Sequence, residues 1–192
     1  MVDSKTVMQL RAQTGAGVLE AKRALEETDG DIQKAIDQLR KSGALKAAKK
    51  SDRETKEGLV HSYIHGGGKV GVLVEVLCET DFVARNPTFE ELAHDIAMQI
   101  AATNPLYVKP EDVPGEMVEK EKSIYAEETA GKPANIVEKI VQGKLDKWYS
   151  DVCLMKQAFI KDEDLTIEDV VNAKIAKLGE NIQVRRFVRY SL

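Results

Sequence analysis

Valine occupies every second position from Val70 to Val76, inside the run Lys69 to Cys78. Successive side chains of a strand point to opposite faces, so this spacing commits one face of a sheet to burial. A second alternating run, Leu59-Val60-His61-Ser62-Tyr63-Ile64-His65, precedes it, with Gly66-Gly67-Gly68 between the two. The pair reads as a β-hairpin closed by a glycine loop. Whatever surrounds the hairpin has to cover its valine face.

The flanking segments carry the helical period. Residues 4–42 hold three short patterns. The first contains Val7, Met8 and Leu10 and ends at Thr14-Gly15-Ala16-Gly17, where two close glycines mark a tight turn. The second carries Val18, Leu19, Ala21 and Leu25 and stops at Asp29-Gly30. Asp31 is placed to N-cap the third, in which Ile32, Ala35, Ile36 and Leu39 share one face and Gly43 fits the C-terminus. Lys46 to Arg53 is basic and reads as a linker or an extended helix end. After the hairpin, Phe89, Leu92, Ala93, Ile96 and Ile100 form one apolar stripe on a helix reaching about Thr103. Its start is set either by a Thr88–Glu91 capping box or by Pro87 in the first turn.

Residues 111–130 are acidic and helical with a mostly wet surface; Gly131-Lys132-Pro133 breaks them from a further helix bearing Ile136, Val137, Ile140, Val141, Leu145, Trp148, Tyr149 and Val152. The two resemble an antiparallel helical pair. Thr166 to Asp169 caps a short helix through Val170, Val171, Ile175 and Leu178, ended by Gly179. Ile182, Val184, Val188 and Tyr190 then fall on one parity of a last strand, with Arg186 interrupting. The order of helices, two strands, helices and one strand gives an α+β class: a small three-stranded antiparallel sheet packed with helices.

Composition narrows the function. The 192-residue chain is 31% charged, 5% aromatic, and carries a net charge of −4. Bulk electrostatics therefore do not point to nucleic acid. A ribosome- or RNA-binding adaptor using 46–53 and the final arginines is the competing class, but aromatics are not interleaved there for base stacking. No segment has the roughly 18 apolar residues of a membrane span, and no long apolar run follows Met1-Val2-Asp3-Ser4-Lys5, so the expectation is a cytoplasmic protein without a signal peptide. Cys78 and Cys153 lack metal-ligand spacing and read as reduced thiols. His61 and His65 share a strand face, but further ligands for a zinc site are not evident; His94 belongs to the Phe89–Ile100 helix, partly buried. Gly66-Gly67-Gly68-Lys69 feeds a strand rather than a helix and is a turn, not a phosphate cradle. No coherent nucleophile–base set emerges, so an enzyme is not expected.

The chemistry concentrates at Cys78-Glu79-Thr80-Asp81-Phe82-Val83-Ala84-Arg85-Asn86, where the strand meets the next helix. Such a junction can hold side chains stiffly while exposing them. Two readings stand for each key residue. Asp81 is a cap acid drawn to a helix dipole, or an exposed charge for a partner. Phe82 is a core residue pinning helix to sheet, or a wedge entering another protein. Val18 and Leu19, with Lys22 and Arg23 nearby, are either turn packing or an apolar knob with cations for a protein surface.

Four segments in order carry a resemblance: Thr14-Gly15-Ala16-Gly17 with Lys22-Arg23-Ala24-Leu25; Gly30-Asp31-Ile32 with Arg40-Lys41-Ser42-Gly43-Ala44; Glu79 to Asn86; and Gly179-Glu180-Asn181-Ile182-Gln183-Val184-Arg185-Arg186. Together they span nearly the whole chain and resemble the translation elongation factor Ts family. The resemblance implies a module over 1–50 similar to ubiquitin-associated domains, and a core domain over 51–192 with a helical-hairpin arm at about 111–155. It implies the short, single-core type, whose members pair as homodimers; neither cysteine lies in the final strand, so a disulfide across such a dimer is not expected. Function by the same resemblance is guanine-nucleotide exchange on elongation factor Tu, bound in its GDP and nucleotide-free states, with no cofactor. Thr80, Asp81, Phe82 and Val83 match the segment that dislodges magnesium from Tu, and Val18, Leu19 and Lys22 match positions touching its nucleotide domain.

Overall fold

A computed structural model describes residues 2–129 and 133–192. Gly131 and Lys132, named above as a helix breaker, lie outside the described residues. The N-terminal helices are α1 (Ser4–Thr14), α2 (Val18–Glu27) and α3 (Ile32–Ala48). Val7, Leu10, Ala21, Ala24, Leu25 and Ala35 form a buried cluster of their own, with Ile32, Ile36 and Leu39 packed against it. Asp31 caps α3 by accepting the Lys34 amide at 3.1 Å. Met8, between Val7 and Leu10 in the sequence, faces solvent.

One expectation for α3 is corrected: Gly43 does not end the helix. Of the two readings for Lys46 to Arg53, the extended helix end holds for Lys46 to Ala48. Gly43 is buried where α3 crosses a later helix, and an added Cβ would meet the Asn172 carbonyl oxygen at 3.9 Å. Local propensity favours glycine at a helix end; tertiary contact explains its place in mid-helix.

The hairpin strands are β1 (Glu57–His65) and β2 (Val70–Cys78), followed by the short α4 (Asp81–Ala84) and by α5 (Pro87–Thr103). Asn86 caps α5, its Oδ1 accepting the Thr88 amide at 2.8 Å, and Pro87 takes the first helical position. The alternative Thr88–Glu91 box is not used. Phe89, Leu92, Ala93, Ile96 and Ile100 are fully buried beneath Val72, Val74, Val76 and Cys78, so the valine face has the expected cover. His94 is exposed at the edge of that helix, its Nδ1 3.2 Å from His61 Nε2. Tyr63 Oη pairs with His65 Nδ1 at 3.0 Å, so each of the three imidazoles places one ring nitrogen in a surface contact.

The acidic stretch becomes helical only from α6 (Gly115–Glu128), Pro110–Asp112 being a single tight turn. It lies against α7 (Ala134–Val152): Lys144 sits 5.5 Å over the Tyr125 ring and also pairs with Glu128. A short hairpin of β3 (Ala158–Phe159) and β4 (Asp162–Thr166) follows, absent from the sequence reading. Buried Gln99 organises it, donating from Nε2 to the Ala158 carbonyl at 3.0 Å and accepting the Ile160 amide at 2.9 Å. The predicted Thr166–Asp169 capping box opens α8 (Ile167–Leu178), and Gly179 closes it with φ of 81°.

The last strand, β5 (Gln183–Ser191), pairs antiparallel with β2, giving the order β1-β2-β5. Its parity differs from the expectation. A bulge at Arg185 shifts the register between Val76↔Val184 and Glu75↔Arg186. One inserted residue reverses every later side chain. Phe187 and Arg189 therefore turn inward, Arg189 donating to the Ala101 carbonyl at 3.1 and 3.2 Å, while Val188 and Tyr190 face out. The outer face then carries exposed Val60, Ile64, Leu73, Val188 and Tyr190. Beside them Glu75 is clamped by Arg186 at 2.6 Å and Arg185 at 2.8 Å, which hold its carboxyl below the usual range. No described helix is long and apolar enough to cross a membrane.

Candidate functional site

β2 ends at Cys78, and three residues later the chain has turned into α4. Thr80 has extended backbone and caps this helix, its hydroxyl accepting the Val83 amide at 3.4 Å. The Thr80 carbonyl accepts the Ala84 amide at 3.1 Å and the Cys78 thiol at 3.2 Å. Burial, with Glu180 adding to it, pushes that thiol up to about 11, so it stays protonated and able to donate. Cys153 is likewise raised to about 11 by burial. Both are buried, unbridged and unreactive at neutral pH.

α4 has four residues, and a helix of one turn has no stability of its own. Its direction is imposed by neighbours. Val83 and Ala84 pack onto the core shared by β2 and α5. Asp81 forms an ion pair with Arg85 at 3.2 Å, and the N-cap role offered for it belongs to Thr80. Phe82 points away: it is 83% exposed and takes no part in the core, so the core-residue alternative is closed. A single exposed apolar side chain is ordinary on a protein surface. What distinguishes Phe82 is its mount, a one-turn helix held between the central strand β2 and the largely buried helix α5.

The second candidate group lies on α2, in the other hydrophobic cluster. Leu19 is 83% exposed and Val18 48% exposed, while Lys22 reaches Glu26 at 3.7 Å. Only Ala21, Ala24 and Leu25 of this helix are turned inward. The structure thus brings Thr80, Asp81, Phe82 and Val83 into one corner and Val18, Leu19 and Lys22 into one helix face, on separate elements.

Sequence reasoning gave Glu180 no role of its own. It follows the α8 cap and reaches across to the corner: its Oε2 accepts the amides of Glu79 at 3.1 Å and Thr80 at 3.0 Å, and its Oε1 accepts the Thr80 hydroxyl at 2.6 Å. Glu79 answers by accepting the Asn181 amide at 2.6 Å. Asn181 Nδ2 donates to the carbonyls of Ser51 at 3.3 Å and Arg53 at 2.8 Å, tying in the segment after α3. The signal was present only as an acid just after a helix-ending glycine; its partners are about a hundred positions away, which no local period reveals.

Among the described residues, no group of three or more His, Cys, Asp or Glu side chains could hold a metal ion. The corner presents an exposed ring, a carboxylate and a hydrogen-bonded backbone.

Residues 4–174 match the family described as Elongation factor TS. The chain is similar to an Elongation factor Ts of Carboxydothermus hydrogenoformans, 55% identical over 194 residues that cover 100% of this chain and 89% of that protein. It is also similar to an Elongation factor Ts of Thermosipho melanesiensis, at 54% identity with 100% and 99% covered. A third, from Thermotoga petrophila, is 54% identical over 186 residues, covering 97% and 94%.

Proposed function

The chain belongs to the elongation factor Ts family, and on that premise we propose that it is a guanine-nucleotide exchange factor for elongation factor Tu, acting by binding and not as an enzyme. The observation that carries the mechanism is the 83% exposure of Phe82 on a rigid mount. The factor docks on Tu carrying GDP through two surfaces, Val18, Leu19 and Lys22 on one module and Thr80 to Val83 on the other. Magnesium bridges nucleotide phosphates and protein oxygens in such GTPases and helps hold their switch segments. Phe82 parts the packing beside that cation, Asp81 alters the charge around it, and Thr80 and Val83 hold the pair in position. GDP loses its hold, and GTP entry then releases the factor. Coupling is reciprocal, so GDP weakens the factor's grip by the factor that it is itself weakened.

In this reading residues 1–50 form a module like the ubiquitin-associated domains, 51–192 the core, and α6 with α7 the arm of about 111–155, all in the cytoplasm and without nucleic acid as a direct partner. The test is release of fluorescent GDP from purified Tu. Catalytic amounts of the protein are expected to accelerate release; an unchanged rate at saturating factor defeats the proposal.

The free protein pairs with a second copy through the outer face of β1, β2 and β5. Leu73 stands in register between Ser62 and Val188, and Gly71 between Ile64 and Tyr190, which makes the exposed aliphatics and Tyr190 one continuous patch. A two-fold axis would lay this patch on itself. Light scattering over a concentration series is expected to show a dimer that Tyr190→Glu abolishes; a monomer at every concentration removes the idea.

A further inference from the structure

We propose that Glu180 is the positioning residue of the exchange corner: its carboxylate latches the backbone of Glu79 and Thr80, and so aims Phe82. The inference rests on the reading of Phe82 as the inserted group. The Thr80 side chain alone cannot aim α4, because its contact to the Val83 amide is long at 3.4 Å. The Glu180 contacts are shorter, at 2.6 to 3.1 Å, and engage two amides and a hydroxyl with one charged group. Hydrogen bonds to an ionised acceptor are roughly twice as strong as neutral ones. The negative charge also stands where the corner's amides converge, at the start of α4.

The latch is reciprocal and anchored. Glu79 holds the Asn181 amide, Arg53 Nη1 lies 3.5 Å from Glu79 Oε1, and Lys50 Nζ donates to the Gly179 carbonyl at 2.7 Å. Glu180 is therefore set by the αL turn at Gly179 on one side and by buried Asn181 on the other. Without the carboxylate, Glu79 to Asp81 regain backbone freedom that must be lost again when the ring enters a partner. That cost falls on the step at which Phe82 inserts, not on docking through α2.

Glu180→Gln keeps the shape but removes the charge and one acceptor oxygen. The maximal rate of GDP release that it stimulates from Tu is expected to fall about tenfold while the half-saturating concentration changes less than about threefold. In a Phe82→Ala background the same change is expected to cost almost nothing, because Glu180 acts through the ring. In the free protein, amide exchange by NMR should show Glu79 and Thr80 protected, with protection lowered in Glu180→Gln and lost in Glu180→Ala while β2 and β5 stay protected. Additive losses, an effect on half-saturation alone, or unprotected Glu79 and Thr80 amides in the unaltered protein overturn the latch. If Phe82→Ala slows release and Glu180→Gln does not, the latch alone is wrong; if Phe82→Ala is itself without effect, it is the wedge reading that fails.

Discussion

Phe82→Ala is expected to lower stimulated GDP release by about 30-fold, the kinetic equivalent of the roughly 2 kcal/mol that a buried aromatic anchor contributes at an interface. The same substitution should leave the protein's own stability within about 0.5 kcal/mol, as for surface positions generally. The two halves of the expectation have one cause. The ring is 83% exposed and absent from the core of the free protein, so truncating it opens no cavity. Its contacts exist only with the partner. Stopped-flow release from Tu and thermal melting of the isolated variant measure the two halves. Normal release would show that another group opens the nucleotide site, and a large loss of stability would show that the ring supports the fold.

Gly58→Ala is expected to act in the opposite way, costing at least about 3 kcal/mol of stability, the range of backbone strain plus overpacking. In a chain of this length that lowers the melting temperature by roughly 6–12 °C. Gly58 has φ of 148°, and a Cβ there would run into the Val76 carbonyl oxygen and lie 2.8 Å from Leu77 Cα. The obstacle is backbone of the central strand, which cannot swing aside as a side chain would. β1 would have to peel from β2 close to Cys78, at the root of the corner. Melting of the variant checks the expectation; an unchanged midpoint would mean that β1 shifts at little cost.

The valine run, the helix stripes and the caps at Asp31 and Thr166 were legible because each is a local pattern, repeated within one or two turns or strand residues. The errors fall where distant contact overrides local preference. Gly43 looked like a helix end because glycine favours ends; packing of α3 on α8 carries the helix through it. The parity of β5 was misread because the bulge at Arg185 is visible only in its pairing with β2. The β3–β4 hairpin was missed because buried Gln99 on another element completes its hydrogen bonds.

The candidate site divides in the same way. Thr80 to Val83 could be placed at a strand-to-helix corner from sequence alone, since the period changes from two residues to the helical repeat across them. Only the packing decides whether Phe82 faces core or solvent: Val83 and Ala84, and not Phe82, pack against the core that holds Phe89.

Periodicity, capping and composition determined which elements form, their class, and which few residues concentrate the chemistry, because those properties depend on neighbours within a few positions. Tertiary structure alone decided the exposure of Phe82, the turning outward of Val188 and Tyr190, and the meeting of Glu180 with the Glu79 and Thr80 amides. The physical reason is that burial and hydrogen-bond satisfaction are settled by whatever the completed fold brings alongside, however far away in the chain it lies.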